Sequence, residues 1–161
     1  MTTSTNYQFT ADEFSTFATD TERHLHTLLD DPFTLPDGAR AYGINKNGNL
    51  CFLAKNADVY DLLEAKETQL VRMFDACLIL TTGWASPLGA NGEVEGRPSE
   101  HPQRRRVRLA IVVSDDVEGS PVTVANILCF QDDPENPILD LGSASGSLAE
   151  AVVNLYTREG A

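Results

Sequence analysis

The chain has 161 residues, 42% of them apolar and 22% charged, which places it among folded single-core domains and excludes a disordered polymer. Its 24 acidic against 12 basic residues leave a formal net charge of −12, a field that opposes nucleic acid and anionic membrane surfaces as partners. No apolar run approaches the roughly 20 residues needed to cross a bilayer, and the start MTTSTNYQFTADEF lacks the basic and apolar regions of a secretory leader.

Residues 1–9 read as a flexible tail. Thr10-Ala-Asp-Glu13 then forms a capping box, in which the Thr hydroxyl and the Glu carboxylate each satisfy a backbone amide that the helix leaves unpaired. Phe14, Phe17, Ala18, Thr21, Leu25 and Leu28 follow at helical spacing, and Pro32 ends the helix by Asp31. A second S/T-x-x-E signature, Thr19 to Glu22, permits a break near Asp20. A loop with turn chemistry at Pro36-Asp37-Gly38 leads to a hairpin. Its strands hold Tyr42 and Ile44, then Leu50, Phe52 and Ala54, around the tight-turn pair Asn47-Gly48. Asn56 reads as the cap of a second helix with the stripe Val59, Leu62 and Leu63.

The continuous apolar run Ala76–Leu80, followed by Thr81, Thr82 and Gly83, predicts a third strand buried on both faces for part of its length. Residues 86–104 form a long Gly-, Pro- and acid-rich loop, a length that usually marks function or disorder. Arg105 to Ser114 alternates as a fourth strand, Asp115 to Pro121 turns, and Val122 to Gln131 is a fifth strand that "QDDPENP" ends. Ser147-Leu-Ala-Glu150 caps a last helix with the stripe Leu148, Ala151, Val152, Leu155 and Tyr156.

The order α-β-β-α-β-β-β-α predicts a single α+β domain over 1–161: a mainly antiparallel five-stranded sheet with helices packed on one face. In element order alone it resembles the five-stranded α/β sandwiches of the roadblock, PAS and profilin group. That resemblance implies a fold that binds, copies of itself included, more often than it catalyses.

Cys51, Cys77 and Cys129 each lie in an apolar run, away from a second cysteine or a histidine at ligand spacing. They read as buried reduced thiols, which implies a reducing compartment and a cytoplasmic protein. No phosphate-loop, nucleophile-elbow, metalloprotease, zinc-deaminase or paired C-x-x-C signature occurs, so neither cofactor nor metal is expected. His24 and His26 would point about 200° apart on a helix and cannot share a metal. Asp132, Asp133 and Glu135 lack the alternation of a calcium loop and read as a solvated turn. The Gly-rich "GSASGS" before the last helix lacks a phosphate-loop lysine and reads as a connection.

The segment GRPSEHPQRRRVRL concentrates five of the 12 basic residues: Arg97, Arg104, Arg105, Arg106 and Arg108. Pairing of the third and fourth strands would bring Trp84 to the same end of the sheet. Indole and guanidinium groups there suit an anionic small molecule or a protein partner. The competing reading is structural: alternate arginines facing solvent on an edge strand, where charge blocks edge-to-edge aggregation. The candidate binding residues are therefore Trp84, Arg97, His101, Arg104 and Arg106, and the function expected is a self-associating, non-enzymatic binding or protein-interaction domain. The alternative is a small hydrolase or transferase acting on a phosphorylated substrate. There His101 would be acid or base, Glu100 would orient it, and Arg104 or Arg106 would clamp the oxyanion.

Overall fold

A computed structural model describes residues 9–29, 33, 38–85, 105–115, 117, 122–141 and 147–157. One antiparallel sheet of six strands organises them, in the order β2-β1-β3-β4-β5-β6. The strands are β1 (Ala39–Ile44), β2 (Leu50–Asn56), β3 (Ala76–Ala85), β4 (Arg105–Ser114), β5 (Thr123–Phe130) and β6 (Asp133–Leu141). The helices are α1 (Ala11–Leu28), α2 (Val59–Glu64) and α3 (Ser147–Thr157), with a 3₁₀ helix at Glu67–Met73. The α+β class and antiparallel sheet agree with the sequence reading; the strand count is six rather than five. The sixth strand is built from the segment read as a terminating turn. Pro134 and Pro137 are accommodated there because β6 is an edge, where a missing N–H breaks no ladder.

The helices cover both faces of the sheet, not one. Alternation along β3 and β4 divides their side chains. Ala76, Leu78, Leu80, Ala110 and Val112 join Phe14, Ala18 and Leu25 of α1, while Cys77, Ile79, Ile111 and Val113 join Leu62, Leu63, Val71, Val152, Leu155 and Tyr156. A continuous apolar run in β3 is the sequence form of a strand buried on both sides. Arg72 Nε donates to the carbonyl of Leu155 (2.9 Å) and Tyr156 Oη to that of Phe74 (2.8 Å), which ties α3 and the 3₁₀ helix together on the second face.

The Thr10–Glu13 capping box forms with both hydrogen bonds, and α1 runs unbroken through Asp20 to Leu28. Asp58 rather than Asn56 caps α2, accepting from the amides of Tyr60 and Asp61, while Asn56 Oδ1 accepts from the amide of Asp58. Gly48 takes φ +88° in the hairpin turn, the left-handed region that glycine enters without a Cβ clash. Residues 1–8 of the expected tail and the 86–104 loop lie outside the described residues, but Phe9, expected in that tail, is buried in the α1-face core and bridges Val117. No described helix is long and apolar enough to cross a membrane.

Gly43 of β1 leaves room for the Phe74 ring, which a Cβ there would meet at 2.2 Å. Gly43→Ala is expected to destabilise the fold by about 1–3 kcal/mol through overpacking, read as a lower melting temperature. Phe74→Leu in the same chain should recover part of that loss.

Candidate functional site

Side chains of α1 and β4 form a charged cluster beneath the helix. The α1 stripe runs Phe14, Ala18, Glu22, Leu25, so Glu22 holds a core position in an apolar series. Arg108 likewise shares a face of β4 with Ala110 and Val112. The two side chains are each 1% exposed and form an ion pair, Arg108 Nη2 to Glu22 Oε2. The other Glu22 oxygen accepts from Arg23 Nε at 2.8 Å, and Arg108 Nη1 meets His26 Nδ1 at 2.8 Å. Arg23 extends across the sheet, with Nη1 to the carbonyl of Pro134 (2.8 Å) and Nη2 to Cys129 Sγ (3.3 Å). Phe33 closes the cluster: its ring lies edge-on to His26 and 5.2 Å from the Arg108 guanidinium carbon. The solvent-facing edge strand expected for these arginines is thus overturned at Arg108. β4 lies between β3 and β5, inside the sheet.

Burial, reinforced by the Arg108 and Arg23 guanidiniums, holds His26 below its ordinary 6.5. At neutral pH the ring is uncharged, so Nδ1 serves as acceptor for Arg108 when Nε2 carries the proton.

Pairing of β3 with β4 places Thr82 opposite Arg108, Trp84 opposite Arg106 and Ala85 opposite Arg105. Of the five residues expected in the site, Trp84 and Arg106 are therefore brought together. Arg97, His101 and Arg104 lie outside the described residues, as does Glu100. Arg106 leans back along the α1 face, with Nε donating to the carbonyl of Phe33 (2.9 Å) and Nη2 to Thr82 Oγ1 (3.3 Å). Arg105 points to the opposite face, stacks 3.9 Å over the Phe130 ring and forms a two-point pair with Asp132 at 2.8 and 2.5 Å. That pair holds Asp132 below the usual carboxylate range.

The sequence reading missed Arg40. It shares the α1 face with Leu80, its β3 partner, and lies beside Lys55 of β2. Thr82 lies between Leu80 and Trp84 on β3, directly opposite Arg108, so Arg40 on β1 and Arg106 on β4 stand diagonal to it. Arg40 Nε is buried and has no hydrogen-bond partner. Arg23, Arg40, Arg106 and Arg108 thus gather at one end of the α1 face of an acidic chain. The C-terminal end of α1, whose carbonyls favour cations, lies at that same end.

Three hollows of the described surface lie elsewhere. Two adjoining ones of about 390 and 400 Å³, between α1 and the β1–β2 turn, share Phe17, Asp20 and Lys46; a third of about 300 Å³ separates α2 from α3. The first pair mixes Lys46 with Asp12, Glu13 and Asp20, and Glu13 already closes the helix cap. Shape favours those hollows; the unsatisfied donor at Arg40 favours the basic corner, and chemistry is the stronger guide to a ligand. No set of three metal-ligating side chains converges among the described residues. Cys77 and Cys129 are buried as expected, but Cys51 is exposed.

Compared with protein families, curated proteins and solved structures, the chain matches none of them.

Arg108→Ala should cost about 3–5 kcal/mol of stability, because Glu22 is left buried beside an empty place. Glu22→Leu with Arg108→Met should recover most of it, measured by denaturant unfolding. His26 adds a pH dependence. Its folded value is depressed, so the unfolded chain takes the proton first, and stability falls as pH drops from 6.5 toward the folded value. His26→Gln, which keeps an acceptor for Arg108, should flatten the melting temperature over that window.

Proposed function

We propose that the protein is a self-associating binding domain that takes an oxyanion at the basic end of its α1 face. The oxyanion is a phosphate or carboxylate carried by a small molecule or by a partner protein. Arg40 and Arg106 are its ligands, with Thr82 of β3 between them; Trp84 follows two residues along β3, opposite Arg106. The observation that carries this reading is the buried Arg40 Nε without an acceptor. A charged donor removed from water and left unpaired costs more than the 1–3 kcal/mol of a neutral one, and such a group is restored by an acceptor that a ligand brings. Guanidinium suits the task, since its planar fork meets phosphate or carboxylate with two parallel hydrogen bonds.

The rest of the cluster supports the corner. The single Glu22 carboxylate is shared by Arg23 and Arg108, so that trio keeps a net positive charge, which favours an anion at this end of the sheet. An acidic chain with a basic corner among its described residues also selects against unspecific anions elsewhere on its surface, by repulsion.

A thermal-shift series with inorganic phosphate, pyrophosphate, citrate and acidic peptides tests the reading. A ligand at 100 times its dissociation constant adds about 2.7 kcal/mol, roughly 5–10 °C for a domain of this size. Arg40→Met should remove that shift while leaving the unliganded protein as stable as before or slightly more so, since it deletes the unpaired donor. A less stable Arg40→Met protein that keeps its full ligand shift would make Arg40 a structural residue and refute the proposal.

A further inference from the structure

The sheet ends in two edges of opposite character. β6 carries Pro134 and Pro137, which lack N–H groups, and the acids Asp133, Glu135 and Asp140, the usual devices against edge-to-edge pairing. β2 has neither proline nor acid, and its own guards, a bulge at Leu53 and Lys55, both lie beyond Leu50–Phe52. Leu50–Asn56 contains no proline and no acid in a chain with 24 acids, and its one charge is Lys55. A second copy bears the same net charge of −12, so two chains approach best where acids are missing.

The phase of the ladder shows which groups β2 presents. Asn45 N–H donates to the carbonyl of Asn49 at 3.1 Å. Alternation then makes Gly43–Cys51 a hydrogen-bonded pair and leaves Ile44–Leu50 and Tyr42–Phe52 non-bonded. Leu50 and Phe52 therefore turn their N–H and C=O groups away from β1, toward the open edge. The side chains there are apolar. Phe52 is 50% exposed on the α1 face, and Cys51 is exposed on the other. Met73, 78% exposed, precedes the Phe74 ring that stands over Gly43, the β1 partner of Cys51.

We propose that β2 pairs antiparallel with β2 of a second copy across a two-fold axis at Cys51, joining two sheets edge to edge. The inference rests on the self-association in the reading above and gives it a surface separate from the Arg40–Arg106 corner. In this register Leu50 and Phe52 of one copy exchange main-chain hydrogen bonds with Phe52 and Leu50 of the other. Their side chains meet as aromatic–aliphatic cross-strand pairs. Cys51 faces its own copy as a non-hydrogen-bonded pair, whose Cα atoms lie about 4.5 Å apart. That separation falls within the range of about 4.4–6.8 Å that a disulfide spans.

The test combines light scattering across the micromolar range with oxidation by diamide. Diamide takes two hydrogens from two thiols, becomes the hydrazine and leaves a disulfide. Cys77 and Cys129 are buried, and burial pushes the Cys77 thiol up to about 12, so the reagent reads Cys51. The expected result is a dimer that diamide converts to a covalent dimer, a conversion lost in Cys51→Ser while the non-covalent dimer remains. Cys51→Lys, which sets two ammonium groups face to face without touching the core, should weaken the dimer at least about tenfold. A monomer at every concentration overturns both this pairing and the self-association, leaving the oxyanion corner to its own test. A dimer that neither cross-links nor responds to Cys51→Lys keeps the self-association and overturns this surface. Open polymers, the signature of β2 pairing with β6 of the next copy, overturn the two-fold arrangement.

Discussion

The ion pair between Arg108 and Glu22 fixes how α1 meets the sheet. Two charges withdrawn from water carry a desolvation penalty of several kcal/mol each. Their attraction offsets it only when the remaining lone pairs and protons are also met. Here they are met from a single turn of helix: Glu22 bonds Arg108, Arg23 bonds the second oxygen of Glu22, and His26 accepts from Arg108. Phe14, Ala18 and Leu25 would bury comparable area if α1 slipped by one turn, because apolar contact is non-directional. The ion pair tolerates no such slip, since a turn carries Glu22 about 5.4 Å along the axis. Apolar burial supplies the attraction of α1 for the sheet, and the charges choose its register.

The two faces of the sheet divide the labour. The α2–α3 side is sealed by apolar packing, with Arg72 and Tyr156 satisfying backbone carbonyls at its margin. The α1 side holds the same kind of core toward the β1–β2 turn, then changes character toward the other end, where Arg23, Arg40, Arg106 and Arg108 collect. Position within the sheet explains the change. β3 and β4 are the central strands and extend past their apolar stretch, through Thr82 and Arg108, to Trp84 and Arg106. A central strand that continues in polar residues delivers them to one end of a rigid layer, a better platform for a binding site than a loop.

What could be read in advance follows from the range of each signal. The capping box at Thr10, the Asn47-Gly48 turn and the two-faced burial of Ala76–Leu80 are local patterns, and each forms. β6 was hidden because its prolines and acids carry the composition of a turn, and only its place at the sheet edge makes it a strand. The helices on both faces were implied by the continuous apolar run in β3, yet the element order alone suggested one covered face. Glu22 and Arg108 were legible in a different way. Each is a charge at a core position of an otherwise apolar series, in α1 and in β4, and the two are of opposite sign. Reading Glu22 as part of a second capping box, and Arg108 as a solvent-facing residue, assigned each a local role when their explanation was each other. Arg40 had no such signal, since its unpaired Nε depends on what the two neighbouring strands, β2 and β3, place around it.

The corner and the open edge are neighbours, which bears on what kind of partner suits the protein. Arg40 of β1 pairs with Lys55 of β2, so the proposed oxyanion site lies one strand in from the edge that would join two copies. A two-fold axis perpendicular to the sheet keeps the α1 faces of both copies on the same side. The two corners then face one direction, on either side of the axis, held by a continuous hydrogen-bonded layer with no flexible linker between them. A partner bearing two acidic groups at that spacing would engage both, and its second contact would form at the effective concentration set by this rigid frame. A singly charged metabolite would gain nothing from the arrangement. In such a dimer, spacing, the one property that neither corner possesses alone, would select a repeated or symmetric acidic partner over a small anion.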